Sequence, residues 1–271
     1  MIQYLYLGRV SYDEGLRLQA EIAALVAEAR VQNVLLLLEH PPVLTLGRNA
    51  DRSNILASDE LLARRGVAVH EINRGGDVTY HGPGQLVGYP IFDLRTLRAP
   101  SGGRMGPVDF VRGMEEALIR LCGGLGVRAG RICGLTGVWC PADNGAERKI
   151  AAIGIHVARG ITSHGFAFNV TTDLSDFALI VPCGIADHAV TSLEQGVKSP
   201  EGLPTLEDLA HQAARCFGQV FGEPVLAVES LTALRAQAAS APPQFPAEDT
   251  PLQIPAEVER LLGRAERPTR A

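Results

Sequence analysis

Lysine is almost missing from this chain of 271 residues. Of its 25 basic residues 23 are arginine, and only Lys149 and Lys198 are lysine. Coding bias toward arginine explains the pattern, but it leaves Lys149 conspicuous at the head of the apolar run Ile150–Ile155. A lysine entering an apolar strand can be desolvated and can release its proton, which arginine cannot. A strand-end lysine with its head in water is the plainer reading of the same feature. Long hydrophobic runs are also lacking. The longest aliphatic stretch, Val34–Leu38, is far too short to span a membrane, and Met1–Tyr12 has no basic region followed by an apolar one. Neither a transmembrane segment nor a secretory signal is expected. There is no basic excess: the net charge of −5 argues against nucleic-acid binding. The five cysteines include no CxxC pair, which disfavours a disulfide framework and a structural zinc site and favours a reducing compartment. The patterns GxxxxGK[ST], GxSxG and HExxH do not occur, and no GxGxxG follows a strand, so P-loop, serine-hydrolase and zincin chemistries have no support. With 46% hydrophobic and 20% charged residues, wholesale disorder is excluded.

The elements that are present alternate irregularly. Ser11-Tyr12-Asp13-Glu14 reads as a capping box opening a helix to about Arg30, with Leu18, Ile22, Leu25 and Ala29 on one face. Strands are predicted at Val34–Glu39, Val43–Leu46, Val67–Ile72, Val78–His81 and Gln85–Asp93. Short helices or turns separate them, among them one over Asp59–Arg65. Pro107 suits the first position of a helix to about Leu125, and Thr205 caps another to Phe221. Between these lie strands at Val127–Arg131, Gly137–Cys140, Lys149–His156 and Thr162–Val170. Helices mixed with short strands, without strict βαβ alternation, predict an α+β layer fold. From about Ala239 onward alanine and proline dominate, with a short helix expected at Ala256–Ala265.

Four features can carry chemistry. In Val181-Pro182-Cys183-Gly184 a thiol sits between a proline that fixes the backbone and a glycine that admits a close approach. Such a cysteine can be a nucleophile, although a small buried hydrophobe is the commoner use. Lys149 can serve as base or as cation toward a thiol. The block Arg74-Gly75-Gly76 through His81-Gly82-Pro83-Gly84-Gln85 holds four glycines that let backbone N–H groups face a ligand; a tight hairpin corner is the bland alternative. His164 shares a strand face with Phe166 and Phe168, where a histidine is more often a satisfied core residue than a catalyst.

Taken together, these segments resemble one family. Glu39-His40-Pro41-Pro42-Val43-Leu44-Thr45-Leu46-Gly47-Arg48 is similar to its first signature, and the twelve residues from Arg74 to Gln85 to its second. Lys149–Gly154, His164–Val170 and Pro182-Cys183-Gly184 follow in the same order and spacing. The family is that of the lipoyl(octanoyl) transferases, and the likeness covers about Met1 to Phe221. It implies a catalytic domain over residues 1–222, with residues 223–271 as an Ala/Pro-rich, partly flexible extension. The implied fold is a mixed β-sheet flanked by helices, as in the catalytic domain of biotin and lipoate protein ligases. The implied catalytic pair is Cys183 and Lys149. The implied acyl-chain contacts are Arg74, Gly75, Gly76, Asp77, Val78, Thr79, Tyr80 and His81, then Ala152, Ile153 and Gly154, then Gly165, Phe166 and Ala167.

The implied reaction moves an octanoyl group from octanoyl-acyl carrier protein, through a Cys183 thioester, to the lysine amine of a lipoyl domain. The acceptors would be the lipoyl domains of 2-oxoacid dehydrogenase complexes and the glycine cleavage H protein. No cofactor, metal, ATP, membrane or nucleic acid is expected, and a cytoplasmic monomer is. Gly75, Gly76 or the segment near Cys183 are candidate oxyanion donors, Val78, Ile153 and Phe166 candidate walls of the acyl slot, and Arg48, Arg52 and Arg74 a candidate basic surface for acidic carriers. Three alternatives stay open: an ATP-dependent lipoate or biotin protein ligase on the same fold, a thioesterase using Cys183 with water, and a non-catalytic binding module.

Overall fold

The structure, a computed structural model, describes residues 1–142, 145–182, 189–197, 199 and 202–241. The chain runs through β1 (Ile2–Arg9), α1 (Tyr12–Ala27), β2 (Asn33–Glu39), β3 (Val43–Leu46), α2 (Asp59–Arg64), β4 (Ala68–Glu71), β5 (Val78–His81) and β6 (Gln85–Ile91). It continues with α3 (Pro107–Gly124), β7 (Gly130–Ile132), β8 (Leu135–Pro141), β9 (Glu147–Ala158) and β10 (Ile161–Asn169). After these come α4 (Leu193–Gly196), α5 (Leu206–Phe221), β11 (Val225–Ala227) and α6 (Leu231–Ser240).

The described strands form a large sheet in the order β11-β1-β2-β6-β10-β9-β8-β7 and a small one in the order β4-β3-β5. Pairing is parallel across β11, β1 and β2 and antiparallel from β2 to β7, which makes the large sheet mixed as expected. Its two faces are covered by different helices. Phe110, Met114, Leu118 and Leu121 of α3 and Leu209, Ala213 and Phe217 of α5 pack on one face. Leu18, Ile22 and Val26 of α1 and Leu234 of α6 pack on the other. The small sheet has its own core of Leu44, Leu46, Val78, Tyr80, Phe177 and Leu179.

The helix starts follow the sequence signals. Ser11 accepts from the Glu14 N–H at 3.3 Å, Pro107 opens α3, and a reciprocal capping box joins Thr205 and Asp208 at the start of α5. Gly222, at φ +67°, closes α5 in the left-handed conformation that glycine adopts without penalty.

β1 carries no alternation to announce it. It is flanked by strands on both edges and by helices on both faces, so Ile2, Gln3 and Leu5 are all buried. The Gln3 side chain donates to Gln237 of α6 at 2.7 Å. β11 and α6 fall in the segment read as a C-terminal extension; β11 prolongs the large sheet beside β1, and Leu234 is fully buried against the α1 side. Residues 242–271, including the helix expected at Ala256–Ala265, lie outside the described residues. Among the described residues no helix is long and apolar enough to cross a membrane.

Candidate active site

A cleft lies where the small sheet folds over the large one. It encloses about 490 Å³ of atom-free space, mouth included. Its floor is β6, β9 and β10. The register pairs Ala152 with Ala167 and Gly154 with Gly165, so a strip of small side chains runs along the floor. The opposite wall is the 74–77 loop together with Thr79 and His81 of β5, and Tyr12 of α1 and Tyr89 of β6 complete the lining. All three expected segments therefore meet at one cleft. Strand alternation divides the first of them, however. Thr79 and His81 face the cleft, whereas Val78 and Tyr80 point the other way into the core of the small sheet. Val78 is therefore not a wall of the slot. The Tyr80 hydroxyl instead donates to Asp176 at 2.6 Å.

The 74–77 loop is strapped down at both sides. The Gly75 N–H donates to the Ile155 carbonyl of β9 at 2.9 Å. Arg74 reaches β3, where Nη2 donates to the Thr45 carbonyl at 2.6 Å and to its hydroxyl at 2.9 Å, and Nη1 donates to the Gly75 carbonyl at 3.0 Å. Close backbone approach demands glycine at two contacts. A Cβ on Gly47 would run into the Gly76 oxygen, and one on Gly154 would lie 2.7 Å from the Gly75 oxygen. Two expectations change. Arg74 is buried at 8% exposure and belongs to the loop's internal scaffold, so of the three arginines expected at the surface only Arg48 and Arg52 are exposed. The Gly75 N–H, committed to Ile155, is not a free oxyanion donor.

His40 and His81 flank the Tyr12 ring, with centroids 5.1 and 6.1 Å away, and His164 lines the same cleft. Gln85 donates from Nε2 to the Tyr80 carbonyl and to Asn169 Oδ1, so its Oε1 accepts from His81 Nδ1 at 2.8 Å. That fixes His81 as the Nδ1–H tautomer, with Nε2 turned toward the Thr45 hydroxyl at 3.4 Å. His40 donates from Nδ1 to the Val10 carbonyl at 2.6 Å and accepts the Tyr89 hydroxyl at Nε2, 2.7 Å away. His164 bonds Asn73 through Nε2 at 2.7 Å and lines the cleft at φ +56°, rather than serving only as a core residue. Burial pushes all three below the usual imidazole range: His81 to about 3, with His40 and Arg74 adding repulsion, and His40 and His164 each to about 4. All three are neutral at neutral pH.

Beside the cleft, at the Ala152–Ala167 pair, lies a smaller hollow. Thr79, Ala152 and Ala167 line both, and Lys149, Gln85, Asn169, Pro182 and Val190 line the hollow alone. Lys149 is 7% exposed. Its main chain is clamped by residues 189–191: its N–H donates to the Ala189 carbonyl and its carbonyl accepts from the Thr191 N–H, both at 2.9 Å. Cys183 lies outside the described residues, within 183–188. Its sequence neighbour Pro182 lines the hollow, and Val181 donates to the Asn54 carbonyl at 2.7 Å. Asn54 in turn donates to Asp77 at 2.6 Å, so Asp77 ties the cleft loop to the segment that precedes Cys183. Tyr12 and Tyr89 line the cleft and Thr45 holds Arg74, contributions that sequence reasoning missed because each comes from another element of the fold.

The sequence profile of the lipoyl protein ligase A/B catalytic domain matches residues 11–218. The octanoyltransferase of Acidobacterium capsulatum is 61% identical over 85% of this chain and 94% of its own length. That of Koribacter versatilis is 50% identical over 96% of this chain and 97% of its own. In fold, the chain is similar to a bipartite lipoate protein ligase from Thermoplasma acidophilum, studied together with its E2 lipoyl domain. The TM-score is 0.61 at 17% identity, covering 98% of each chain.

Proposed function

The chain belongs to the lipoyl protein ligase A/B catalytic-domain family, and on that footing we propose that it is an octanoyltransferase of protein lipoylation working through a cysteine thioester. The observation that carries this reading is the junction of hollow and cleft. Lys149 and Pro182, the residue before Cys183, line one small hollow that shares Thr79, Ala152 and Ala167 with the cleft beside it. A carbonyl held near the lysine would thus have its alkyl tail in the cleft, where each buried CH₂ contributes about 0.8 kcal/mol.

The donor is octanoyl-acyl carrier protein. The Cys183 thiolate attacks the thioester carbonyl, the new S–C bond forms, and the carrier's S–C bond breaks; the carrier leaves as a thiol after taking up a proton. The lysine amine of a lipoyl domain then attacks the enzyme thioester, forming the C–N bond of an amide and releasing the Cys183 sulfur. The proton lost by the amine passes by way of Lys149 to the released sulfur, which restores the Cys183 thiol. The balance is thioester plus amine to amide plus thiol, which calls for no ATP. Arg74, Gly75, Gly76, Asp77, Thr79 and His81 would form one wall of the acyl site. Ala152, Ile153, Gly154, Gly165, Phe166 and Ala167 would form its floor. The exposed Arg48 and Arg52 would meet the acidic carrier.

The test is intact-protein mass spectrometry after mixing the enzyme with octanoyl-carrier protein in the absence of ATP. The expected result is one octanoyl adduct that is absent in Cys183→Ser, reduced in Lys149→Met, and discharged by a lipoyl domain. No adduct, with transfer only when ATP and free octanoate are supplied, would place the protein with the ATP-dependent ligases. Adduct loss to water without an acceptor would make it a thioesterase.

A further inference from the structure

We infer that Trp139 is a positioning residue for the transfer chemistry: its indole face holds the Lys149 ammonium at the hollow. The inference rests on the reading of Lys149 as half of the reacting pair. It starts from a break in strand alternation. On β9, Ala152, Ile153 and Gly154 all border the cleft, but Ala151 is buried in the α3/α5 core and Ile153 also packs against that core. Counting back in twos from Ile153 would place residue 149 on the α3/α5 side as well. The pairing prevents it. Val138 pairs with Ala151 but Trp139 pairs with Lys149, so two steps on β9 oppose one on β8. Ile150 is the extra residue of a β-bulge. Both Ile150 and Ala151 are fully buried in the α3/α5 core, and Lys149 is swung to the hollow.

The bulge is anchored from outside the strand pair. Gly137, at φ +129°, donates its N–H to Glu115 of α3 at 3.0 Å. Glu115 is fully buried, and its other oxygen accepts from Arg112 at 2.7 Å and Arg131 at 3.0 Å. A Cβ on residue 137 would lie 2.7 Å from the Ala151 carbonyl oxygen and 3.3 Å from Lys149 Cε. The glycine therefore leaves room for the lysine stem.

Bulge and anchor settle the backbone of Lys149; the ring settles its head. Trp139 sits directly across the ladder, 1% exposed, with Nε1 donating to the Leu135 carbonyl at 3.4 Å. Lys149 Nζ lies 4.6 Å from the ring centroid. Indole is the strongest of the aromatic faces for a cation, and the interaction grows when water is excluded. A flexible four-carbon stem has many rotamers, and this contact selects the one that keeps the charge at the hollow shared with Pro182.

Trp139 is the chain's single tryptophan, so biosynthetic replacement of tryptophan by fluorinated analogues alters this ring alone. Fluorination weakens the ring face with little change of shape. The measurement is the rate of octanoyl loading onto the full-length enzyme from octanoyl-carrier protein, read by intact mass. Trp139→Leu is expected to lower the maximal loading rate roughly 10- to 30-fold, with the carrier concentration for half-maximal rate unchanged. Trp139→Phe should recover part of the loss. Along the mono-, di- and trifluorotryptophan enzymes the logarithm of the rate should fall stepwise, and in a Lys149→Met background the series should be flat. A flat series in the wild type, with Lys149→Met still impaired, overturns the positioning role alone. A stepwise fall that persists in Lys149→Met also overturns it, because the ring would then act by another route. A Lys149→Met enzyme that loads at the wild-type rate defeats the reading of the pair, and this inference with it.

Discussion

Mild acid should unfold this protein far more readily than its carboxylates require. His40, His81 and His164 are buried and held neutral, with folded-state pKa values near 4, 3 and 4. In the unfolded chain each titrates near 6.5. A group whose folded value is depressed contributes its stability in full above the unfolded value and loses it as the pH falls toward the folded one. The window thus opens below about pH 6.5. Within it the unfolded chain gains about 1.4 kcal/mol per imidazole for each pH unit. By pH 5 each histidine has withdrawn about 2 kcal/mol and the three together about 6 kcal/mol. That loss hardly depends on the folded values, since all three lie below 5. It is comparable with the whole stability of a typical domain, about 5–15 kcal/mol. Urea unfolding at pH 8, 6.5, 5.5 and 5 reads the effect directly. Near pH 5 the slope should approach about 4 kcal/mol per pH unit, the signature of three protons taken up on unfolding. His164→Gln, which keeps a side-chain amide able to meet Asn73, should reduce the slope by about a third. A stability that is flat from pH 8 to 5, or a slope unchanged by His164→Gln, would refute the claim that these imidazoles are neutral in the native state.

Four further outcomes follow from the packing and its contacts. Gly154→Ala would place a methyl 2.7 Å from the Gly75 oxygen and push the 74–77 loop off β9. A cost of about 1–3 kcal/mol and at least about a tenfold loss of octanoyl loading are expected. Gly123→Ala in α3, where a Cβ meets nothing within 4 Å, should instead gain up to about 1 kcal/mol in thermal unfolding. Asp77→Asn opposes an amide N–H₂ to the Asn54 donor now 2.6 Å away, or else turns that group against the Val78 N–H. It should slow loading through the Asn54–Val181 link while leaving acyl-length preference unchanged, as checked with a series of acyl-carrier substrates. A chain ended at Gly222 should melt well below one ended at Ala241. The shorter chain loses β11 from the sheet edge and Leu234 from the α1 core, a burial worth about 2–5 kcal/mol for a leucine alone.

Local chemistry was legible wherever the physical cause lay within a few residues. Ser11 with Glu14, Pro107, and Thr205 with Asp208 mark helix starts, and the described helices begin there. The three segments expected to contact an acyl chain were legible as blocks, and residues of all three line one cleft. Orientation within a block was another matter. Residues 74–81 were read as one contact surface, but only alternation on a strand with known neighbours separates Thr79 and His81 from Val78 and Tyr80. Arg74 was assigned to the surface because its acceptors on Thr45 are 29 positions away and no spacing rule brings them together. β1 was silent because a strand covered on both faces has no polar phase to show.

The orientation of Lys149 was the least legible feature and the one on which the proposed chemistry turns. A period of two along β9 assigns it to the core side. The hydrogen-bond register with β8 reverses that assignment by a single inserted residue, held by a glutamate on α3 that is 34 positions upstream in sequence. A substitution at Gly137 or Glu115 should therefore affect the lysine as strongly as a change beside it, although neither residue lines the hollow.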